Sequence, residues 1–350
     1  MFTPAFFTTA LLYLGYILIF PGFLFCFVIG LLLCGIDRKA VARMQKRVGP
    51  PILQPFYDFF KLCGKETIVP AAASRTTFML APLVGLAALV VIQLFIPVFN
   101  FRVFRGQPNL HEVADMIVIL YLLLIPAVSV MLGGAATGSP YAGIGLSREM
   151  VTVLAVELPL VMVLLSVAKA VGNELGTGLV FSLSGVVDYQ AAHGSLIGHI
   201  SMIPAALAML LIIPGETGNH PFDAAEAETE ICEGLLAEYS GAPLGIYKLS
   251  HAVKMLTLTS LFVALFLGGI GTGVEHLVAA IGLTGGVAAA LSLILQVLIL
   301  VLLCIVLTLV TISFVHAVTA RLKIEQLFKY YWTVVTGLAL ISLVLAWYGF

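Results

Sequence analysis

The residues in this sequence with the clearest capacity for chemistry are carboxylic acids crowded into one short stretch. Residues 215–241, the acidic segment, read GETGNHPFDAAEAETEICEGLLAEYSG and lie between two long apolar runs. Carboxylates beside hydrocarbon are costly unless they meet cations, protons or a partner protein. The segment therefore indicates charge or proton handling at the edge of a membrane. Its acidic residues are Glu216, Asp223, Glu226, Glu228, Glu230, Glu233 and Glu238.

The spacing of these acids predicts a helix within the acidic segment. Pro221 can open the helix, and Ala224–Tyr239 is rich in good helix formers. On such a helix Glu226, Glu230 and Glu233 form one stripe, in which like charges repel one another. The alternative is a solvated acidic loop that joins two membrane helices and needs no function.

Two further carboxylates, Glu149 and Glu157, lie within an apolar run. Eight helical steps place them within about 80° of each other, so both can face the interior of a helix bundle. A buried carboxyl group can exchange protons near neutral pH, and Pro159 frees a backbone carbonyl for water beside Glu157. For Glu149, the alternative is an interfacial pair with Arg148. For Lys254, in the first turns of a later span, snorkelling to the interface is an alternative to a buried role.

Composition identifies the elements that must position these groups. Of the 350 residues, 61% are hydrophobic and 10% charged, and mean hydropathy is +1.12. This composition predicts an all-α polytopic membrane protein, with residues 1–350 forming a single integral membrane domain. The eight windows long enough to cross about 30 Å of hydrocarbon are Leu11–Leu33, Phe78–Phe99, Asp115–Leu132, Met150–Val171, Leu196–Pro214, Leu249–Ile270, Val287–Val315 and Thr333–Tyr348. A weaker apolar piece, Leu277–Leu283, extends the seventh helix or forms a re-entrant segment.

The basic residues orient the spans. Most fall on one face, which is a strong positive-inside bias, and only Arg102, Arg105 and Lys169 fall on the other. The cytoplasmic loops are therefore expected at about 35–77, 215–248 and 316–332, with both termini outside. The most basic and the most acidic loops then share one platform for a cytoplasmic partner. The basic residues of that face are Arg38, Lys39, Arg43, Lys46, Arg47, Lys61, Lys65, Arg75, Arg148, Lys248, Lys254, Arg321, Lys323 and Lys329.

The cysteines argue against a cofactor bound by this chain alone. Cys26, Cys34, Cys63, Cys232 and Cys304 are widely scattered, with no CxxC or Cys/His pair at metal-ligand spacing. We expect no metal ligands and no catalytic residues here, so any electrons are carried by another subunit. The absence of a Lys/Arg-rich run also gives no indication of nucleic-acid binding.

The first loop carries a second pattern. Residues 35–66 read GIDRKAVARMQKRVGPPILQPFYDFFKLCGKE, and Gly49-Pro50-Pro51 divides them. After this break, apolar residues recur at helical spacing, with Asp58, Lys61 and Lys65 on the opposite side. The pattern predicts a short amphipathic helix in the membrane interface. An ordinary juxtamembrane anchor is the alternative function.

Three motifs together resemble a known family. They are DRKxxARxQxRxGPPxxQPxxDxxKLxxKE at 37–66, PFDxxEAExE at 221–230 and EYSG at 238–241. The chain resembles the membrane subunit of complex I that lines the quinone chamber, a family shared with the complex-I-like [NiFe] hydrogenases of group 4. The short step from Gly49 to Gln54-Pro55 and the Ser147–Met150 sequence, followed by Glu157-Leu158-Pro159, resemble the hydrogenase branch. One departure is Asn219, where the family often has a basic residue; either His220 substitutes as a cation or the local contact is lost.

The resemblance implies a membrane-anchoring, non-redox coupling subunit in the cytoplasmic membrane, without a catalytic centre of its own. It implies a cytoplasmic arm of hydrogenase-like large and small subunits and a ferredoxin-like iron–sulfur subunit, which carry the [NiFe] centre and the clusters. It also implies ferredoxin as electron donor, and antiporter-like membrane partners that move protons or sodium. The alternatives are the quinone-chamber subunit of an NADH- or ferredoxin-linked complex I and, in a different class, a stand-alone cation antiporter.

Two sets of residues follow as hypotheses. The proton or coupling path consists of Glu149, Glu157, Glu216, Asp223, Glu226, Glu228, Glu230, Glu233, Glu238 and Lys254. Partner docking is assigned to Arg38, Arg43, Arg47, Gln54, Asp58, Lys61 and Arg148.

Overall fold

The computed structural model of the chain describes residues 14–96, 115–176, 178–268, 273–274, 277–278 and 286–349. These residues are almost entirely helical. Eight helices within them are long and apolar enough to cross a membrane: Leu14–Met44, Arg75–Phe95, Met116–Ala135, Pro140–Leu175, Ile200–Thr217, Gly241–Phe266, Ala290–Val318 and Ile324–Tyr348. They are numbered as spans one to eight. The predicted all-α polytopic architecture and its span count are confirmed. Parts of the predicted first, second and sixth windows, and most of Leu277–Leu283, lie outside the described residues.

Shorter elements connect the spans. The helices are Gln54–Cys63, Leu183–His193 and Glu228–Ile231, and the 3-10 turns are Leu196–Gly198, Ile200–Met202 and Gly234–Leu236. Spans seven and eight each contain one π-helical turn, at Leu309–Ser313 and Tyr331–Val335. Each π turn lies toward the chain segment that joins these two spans.

The fourth span begins ten residues before the predicted start at Met150. Its helix runs from Pro140 to Leu175, 36 residues, and continues through Pro159 without a break. Proline in its first turn suits that start, because the first turn lacks an intrahelical partner for the missing N–H. A helix of this length is about 54 Å long, well beyond the hydrocarbon thickness. Its first turns therefore project beyond the membrane toward the acidic segment.

The sixth span is the centre of the bundle. Its most apolar window is 83% buried inside the protein, against 22% for the seventh span. It packs against the first, second, fifth and seventh spans and against the helix Gln54–Cys63. Gly30 of the first span allows the closest approach, since a Cβ there would lie 3.1 Å from the backbone of Ala252. Lys254, a charged group well inside the sixth span, is thus largely enclosed by protein, whereas Lys248 near its start is exposed.

The predicted amphipathic helix of the first loop is confirmed at Gln54–Cys63, directly after the Gly-Pro-Pro break. Two of its aromatic rings, Phe56 and Phe59, meet Phe27 of the first span edge to face, at centroid distances of 5.9 and 5.1 Å. Tyr57 and Phe60 remain exposed. The helix therefore covers the end of the bundle with one side and presents aromatic surface with the other.

The continuous helix predicted for Ala224–Tyr239 is wrong. The chain forms one short turn at Glu228–Ile231 and another at Gly234–Leu236. Between them Cys232, Glu233 and Gly234 adopt left-handed φ angles of 51°, 65° and 47°, which end a right-handed helix. Helix propensity is a weak preference that tertiary contacts override. Here the overriding contacts are those of the buried side chains before and after the three left-handed residues, which pack against the helix bundle.

The solvated-loop alternative for the acidic segment is also wrong. Its apolar residues Phe222, Ala227, Ile231 and Leu235 are each at most 6% exposed. Leu235 packs against the third and fourth spans at two glycines, because a Cβ at either glycine would meet Leu235 within 3.0 Å. At the end of the segment, the Tyr239 ring stacks on Phe78 at 4.0 Å. The acidic segment is therefore part of the protein core.

The first loop and the acidic segment share one face of the bundle, as predicted. The amide of Ile68 donates to the hydroxyl of Ser240 at 3.0 Å. The backbone of Glu66 approaches Gly241 so closely that a Cβ there would lie 2.9 Å from the Glu66 carbonyl oxygen. Gly241 also has a φ of +62°, which favours glycine. These contacts hold the two loops side by side.

Candidate functional site

A buried ion pair lies on the inner side of the acidic segment. The Lys254 ammonium of the sixth span is 2.9 Å from the Glu216 carboxylate at the end of the fifth span, with side chains 12% and 6% exposed. The snorkelling alternative for Lys254 is therefore wrong. Lys254 is a buried residue and not one of the basic residues of the loop surface. Charges buried in this way require partners, because an unpaired charge loses its hydration without compensation.

Both fourth-span carboxylates converge on this ion pair. Glu149 and Glu157 each interact electrostatically with Lys254 and with Glu216. The helical spacing that predicted a shared inward direction is thus confirmed. The alternative partner of Glu149, Arg148, points elsewhere and binds the acidic segment.

Glu226, in the acidic segment itself, also lies near these carboxylates. It has exposed surface, yet the surrounding protein desolvates its carboxyl group and raises the pKa to about 7. The neighbouring carboxylates Glu149, Glu233 and Asp223 add to this rise. These observations agree if the exposed surface of Glu226 faces a recess between the acidic segment and the fourth span. A carboxyl group of this kind gains and loses its proton near neutral pH.

Glu226, Glu149, Glu216 and Glu157, together with Lys254, form the carboxylate row. Each member interacts electrostatically with at least one other member, from the acidic segment into the fourth and fifth spans. Glu149, Glu157 and Glu216 interact with the one ammonium group of the row, that of Lys254, whereas Glu226 interacts with Lys248. Like charges this close cannot all remain ionised, so the row can hold protons, and a proton added at one end changes the charge seen by the next.

Two other acids of the segment act as anchors. Arg148 binds Glu230 at 2.6 Å and the carbonyl oxygen of Ala224 at 3.2 Å. Arg321 donates to both carboxylate oxygens of Asp223, at 2.8 and 2.5 Å. Paired contacts of this type fix orientation as well as charge. Asp223 and Glu230 thus hold the segment against the fourth span and the loop before the eighth.

The remaining predicted path residues are not members of the carboxylate row, although Glu233 interacts electrostatically with Glu226 from the surface. Glu233 and Glu238 are exposed. Glu228 lies in the short helix Glu228–Ile231, and its side chain is outside the described part of the structure.

The predicted docking residues divide into two groups. Arg38 and Gln54 both donate to the carboxylate of Asp58, at 3.1 and 2.9 Å respectively. Arg148 is occupied by Glu230, as described above. The remaining members, Arg43, Arg47 and Lys61, are exposed. Docking remains a prediction for all of them.

Four groups around the acidic segment were not chosen from the sequence. Asp37 entered the sequence analysis only as part of a basic motif, Arg321 only as a basic residue of the cytoplasmic face, and His316 only as the first position of the expected loop 316–332. His220 was considered only as a substitute for a missing basic residue. Their spacing along the chain carries no common signal, since they come together from four separate elements. Among the described residues, no group of three or more His, Cys, Asp or Glu side chains is arranged to hold a metal ion.

Comparisons with known proteins agree with this architecture. The chain is 35% identical to formate hydrogenlyase subunit 4 of Escherichia coli over 241 residues, covering 69% of this chain and 74% of that protein. It is 36% identical to the H subunit of NADH-quinone oxidoreductase from Thermomicrobium roseum over 251 residues, covering 67% and 72% respectively.

Similarity also extends to a solved structure. A chain of the membrane-bound sulfane sulfur reductase, an archaeal respiratory membrane complex, superposes with a TM-score of 0.78 at 29% identity, covering 97% of this chain and 99% of that one. The sequence pattern of the family described as NADH dehydrogenase matches residues 16–347. The chain therefore belongs to the NADH dehydrogenase family of membrane subunits found in complex-I-like and hydrogenase-4-type complexes.

Proposed function

We propose that this chain is the coupling membrane subunit of an ion-translocating, complex-I-like [NiFe] hydrogenase. In this proposal, a cytoplasmic arm docks on the face formed by the first loop and the acidic segment. The [NiFe] centre and iron–sulfur clusters belong to the arm, ferredoxin supplies electrons, and antiporter-like membrane subunits move protons or sodium. This chain carries no catalytic centre, lies in the cytoplasmic membrane and has both termini outside. The similarity to formate hydrogenlyase subunit 4 supports this branch.

The carboxylate row is the observation that carries the proposal. It begins at Glu226, close to the docking face, and continues through Glu149 and the Lys254–Glu216 pair to Glu157 in the fourth span. A change of charge at the docked arm alters the proton affinity of Glu226 first. Each neighbouring carboxyl group then responds to the charge of the one before it. A shift of two pKa units in one such group corresponds to about 2.7 kcal/mol, a useful part of a coupling step.

Two other functions have a specific observation in their favour. Similarity to the NADH-quinone oxidoreductase relative favours a quinone-chamber subunit. The superposition over nearly the whole chain favours a complex of the sulfane sulfur reductase kind. Hydrogen evolution from reduced ferredoxin would support the hydrogenase. Inhibition of turnover by a quinone-site inhibitor would support the second function, and reduction of sulfane sulfur would support the third. A stand-alone antiporter would purify without iron–sulfur proteins.

The coupling role is tested by ion translocation in sealed vesicles that contain the whole complex. Glu157→Gln and Glu226→Gln keep the shape of the side chain but remove its titratable group. We expect each to lower the rate of coupled ion translocation by roughly 100-fold, the scale on which a positioned proton-transfer group acts.

Glu238→Gln is the matched control, because Glu238 is exposed in the same acidic segment. It should leave translocation unchanged. Full translocation in both the Glu157→Gln and the Glu226→Gln complexes would remove the carboxylate row from the coupling path.

A further inference from the structure

A pair of histidines lies outside the carboxylate row, near the beginning of the acidic segment. The imidazole of His220 stacks on that of His316, at the end of the seventh span, with ring centroids 5.0 Å apart and planes inclined by 29°. Nδ1 of His220 is buried and has no hydrogen-bond partner among the described residues. A buried polar nitrogen without a partner is uncommon and calls for an explanation.

Charged groups surround this pair on both sides. His220 interacts electrostatically with Asp223 and Arg321 as well as with His316. His316 in turn interacts with Asp37 of the first span, which is 7% exposed.

Three further neighbours complete the surroundings of Asp37 and Asp223. The hydroxyl of Ser313 donates to Asp37 at 2.7 Å, and Arg38 also lies within electrostatic range of Asp37. Glu226 interacts with Asp223 from within the acidic segment. The two imidazoles therefore lie between two carboxylates that belong to different parts of the chain.

Opposing effects act on the pKa of His220. Desolvation lowers the pKa of His220, and His316 and Arg321 lower it further, whereas Asp223 opposes them. His220 is consequently neutral at neutral pH and takes up a proton only in acid. In the part of the chain that the structure describes, no other side chain has a buried polar atom that lacks a hydrogen bond.

The chain between the seventh and eighth spans binds the acidic segment next to His220. Arg321 binds both oxygens of Asp223, and the amide of Leu322 donates to the carbonyl of Pro221 at 3.1 Å. The stretch that carries these contacts is bounded by the π turns Leu309–Ser313 and Tyr331–Val335. Such turns interrupt the regular helix and occur frequently at functional sites. The stretch that binds the acidic segment is thus joined to the regular part of each span through a π turn.

We propose that the His220–His316 pair is a proton-binding site that controls how firmly the acidic segment is held. One proton taken from solvent creates a cation between Asp37 and Asp223. This cation attracts the Asp223 carboxylate and repels Arg321, so it weakens the Arg321–Asp223 contact. The acidic segment then loosens at its beginning, while Arg148 still holds Glu230 further along. This inference does not depend on which reaction the complex performs.

The test is hydrogen–deuterium exchange at the histidine C2 position, read by peptide mass spectrometry on the intact complex in lipid nanodiscs across a range of pH. Each histidine is titrated separately by this method. His316→Gln should raise the pKa of His220 by about 0.5–1 unit, a three- to tenfold change in proton affinity. Asp223→Asn should lower it. His193, which stacks on Tyr189 in another helix, should titrate unchanged in both variants.

Backbone exchange in the same samples tests the loosening. After correction for intrinsic exchange, protection of residues 218–226 should fall as His220 becomes protonated, while helix Leu183–His193 stays protected. His220→Gln should abolish this pH dependence, and it serves as a second variant if His316→Gln fails to assemble. If the pKa of His220 were unchanged by His316→Gln, the paired site would be refuted. If protection of residues 218–226 were independent of His220 protonation, the control of the acidic segment by this site would be refuted.

Discussion

The first loop and the acidic segment lie side by side on one face of the bundle, but their charged residues have opposite surroundings. In the first loop, Arg43, Arg47 and Lys61 are exposed, and even the Arg38–Asp58 pair keeps side chains 43% and 37% exposed. The acidic segment buries its apolar residues and turns several of its acids toward other helices. Water screens the charges of the first loop, whereas protein must compensate those of the acidic segment.

The difference also shows where each segment finds its counterions. The arginines that bind the acidic segment come from the fourth span and from the loop before the eighth span. The contact with the first loop is instead made through backbone and hydroxyl groups, as at Ile68 and Ser240. The exposed first-loop cations thus stay available for a partner or for lipid headgroups. Three substitutions test this contrast.

The largest effect is expected at the buried lysine. Lys254→Met leaves the Glu216 carboxylate without its partner, and removal of one member of a buried pair costs about 3–5 kcal/mol in free energy of unfolding. Lys61→Met, on the exposed side of the first loop, should change it by no more than about 0.5 kcal/mol. Denaturation of the complex in lipid provides the measurement. The double variant Lys254→Met with Glu216→Gln should recover much of the loss, and equal stability of single and double variants would contradict a buried pair.

A smaller effect is expected where the acidic segment packs on the fourth span. A Cβ at Gly145 would lie 3.0 Å from the amide nitrogen of Leu235 and 3.1 Å from the carbonyl oxygen of Ala225. Gly145→Ala should therefore weaken the packing of the segment by about 1–3 kcal/mol. Limited proteolysis within residues 215–241 would report this as faster cleavage.

Gly143 provides the control for this substitution. It lies on the same helix, and a Cβ there meets no described atom within 4 Å. Gly143→Ala should stabilise the helix by up to about 1 kcal/mol and leave cleavage unchanged. Equal cleavage of the two variants would show that the segment does not rest on the fourth span as described.

The smallest effect on stability is expected at the exposed pair of the first loop. Arg38→Ala removes the contact with Asp58 at an exposed site, where such pairs contribute about 0–1 kcal/mol. Thermal unfolding should therefore barely change. Association with the cytoplasmic arm should weaken if this loop is a docking surface, and co-purification of the arm measures that. A loss of stability comparable with that of Lys254→Met would refute the contrast between the two segments.

Hydropathy and spacing were sufficient for the features that depend on local sequence. The eight spans, the interfacial helix after Gly49-Pro50-Pro51 and the shared direction of Glu149 and Glu157 were all predictable, because periodicity acts over a few turns. The helix predicted across Ala224–Tyr239 failed for the complementary reason. Its residues favour a helix, but Leu235 and Tyr239 gain more by entering pockets in the bundle.

Composition and hydropathy are enough to identify this chain as a helical membrane protein with many acidic residues beside its membrane spans. Composition and apolar run length do not depend on the partners that each residue later meets. The three-dimensional packing was needed to show which acids are anchors, which join the carboxylate row and which stay at the surface. That division depends on Arg148, Lys254 and Arg321, which reach the acids from distant parts of the chain. The charge of a buried carboxyl group is set by its neighbours in space.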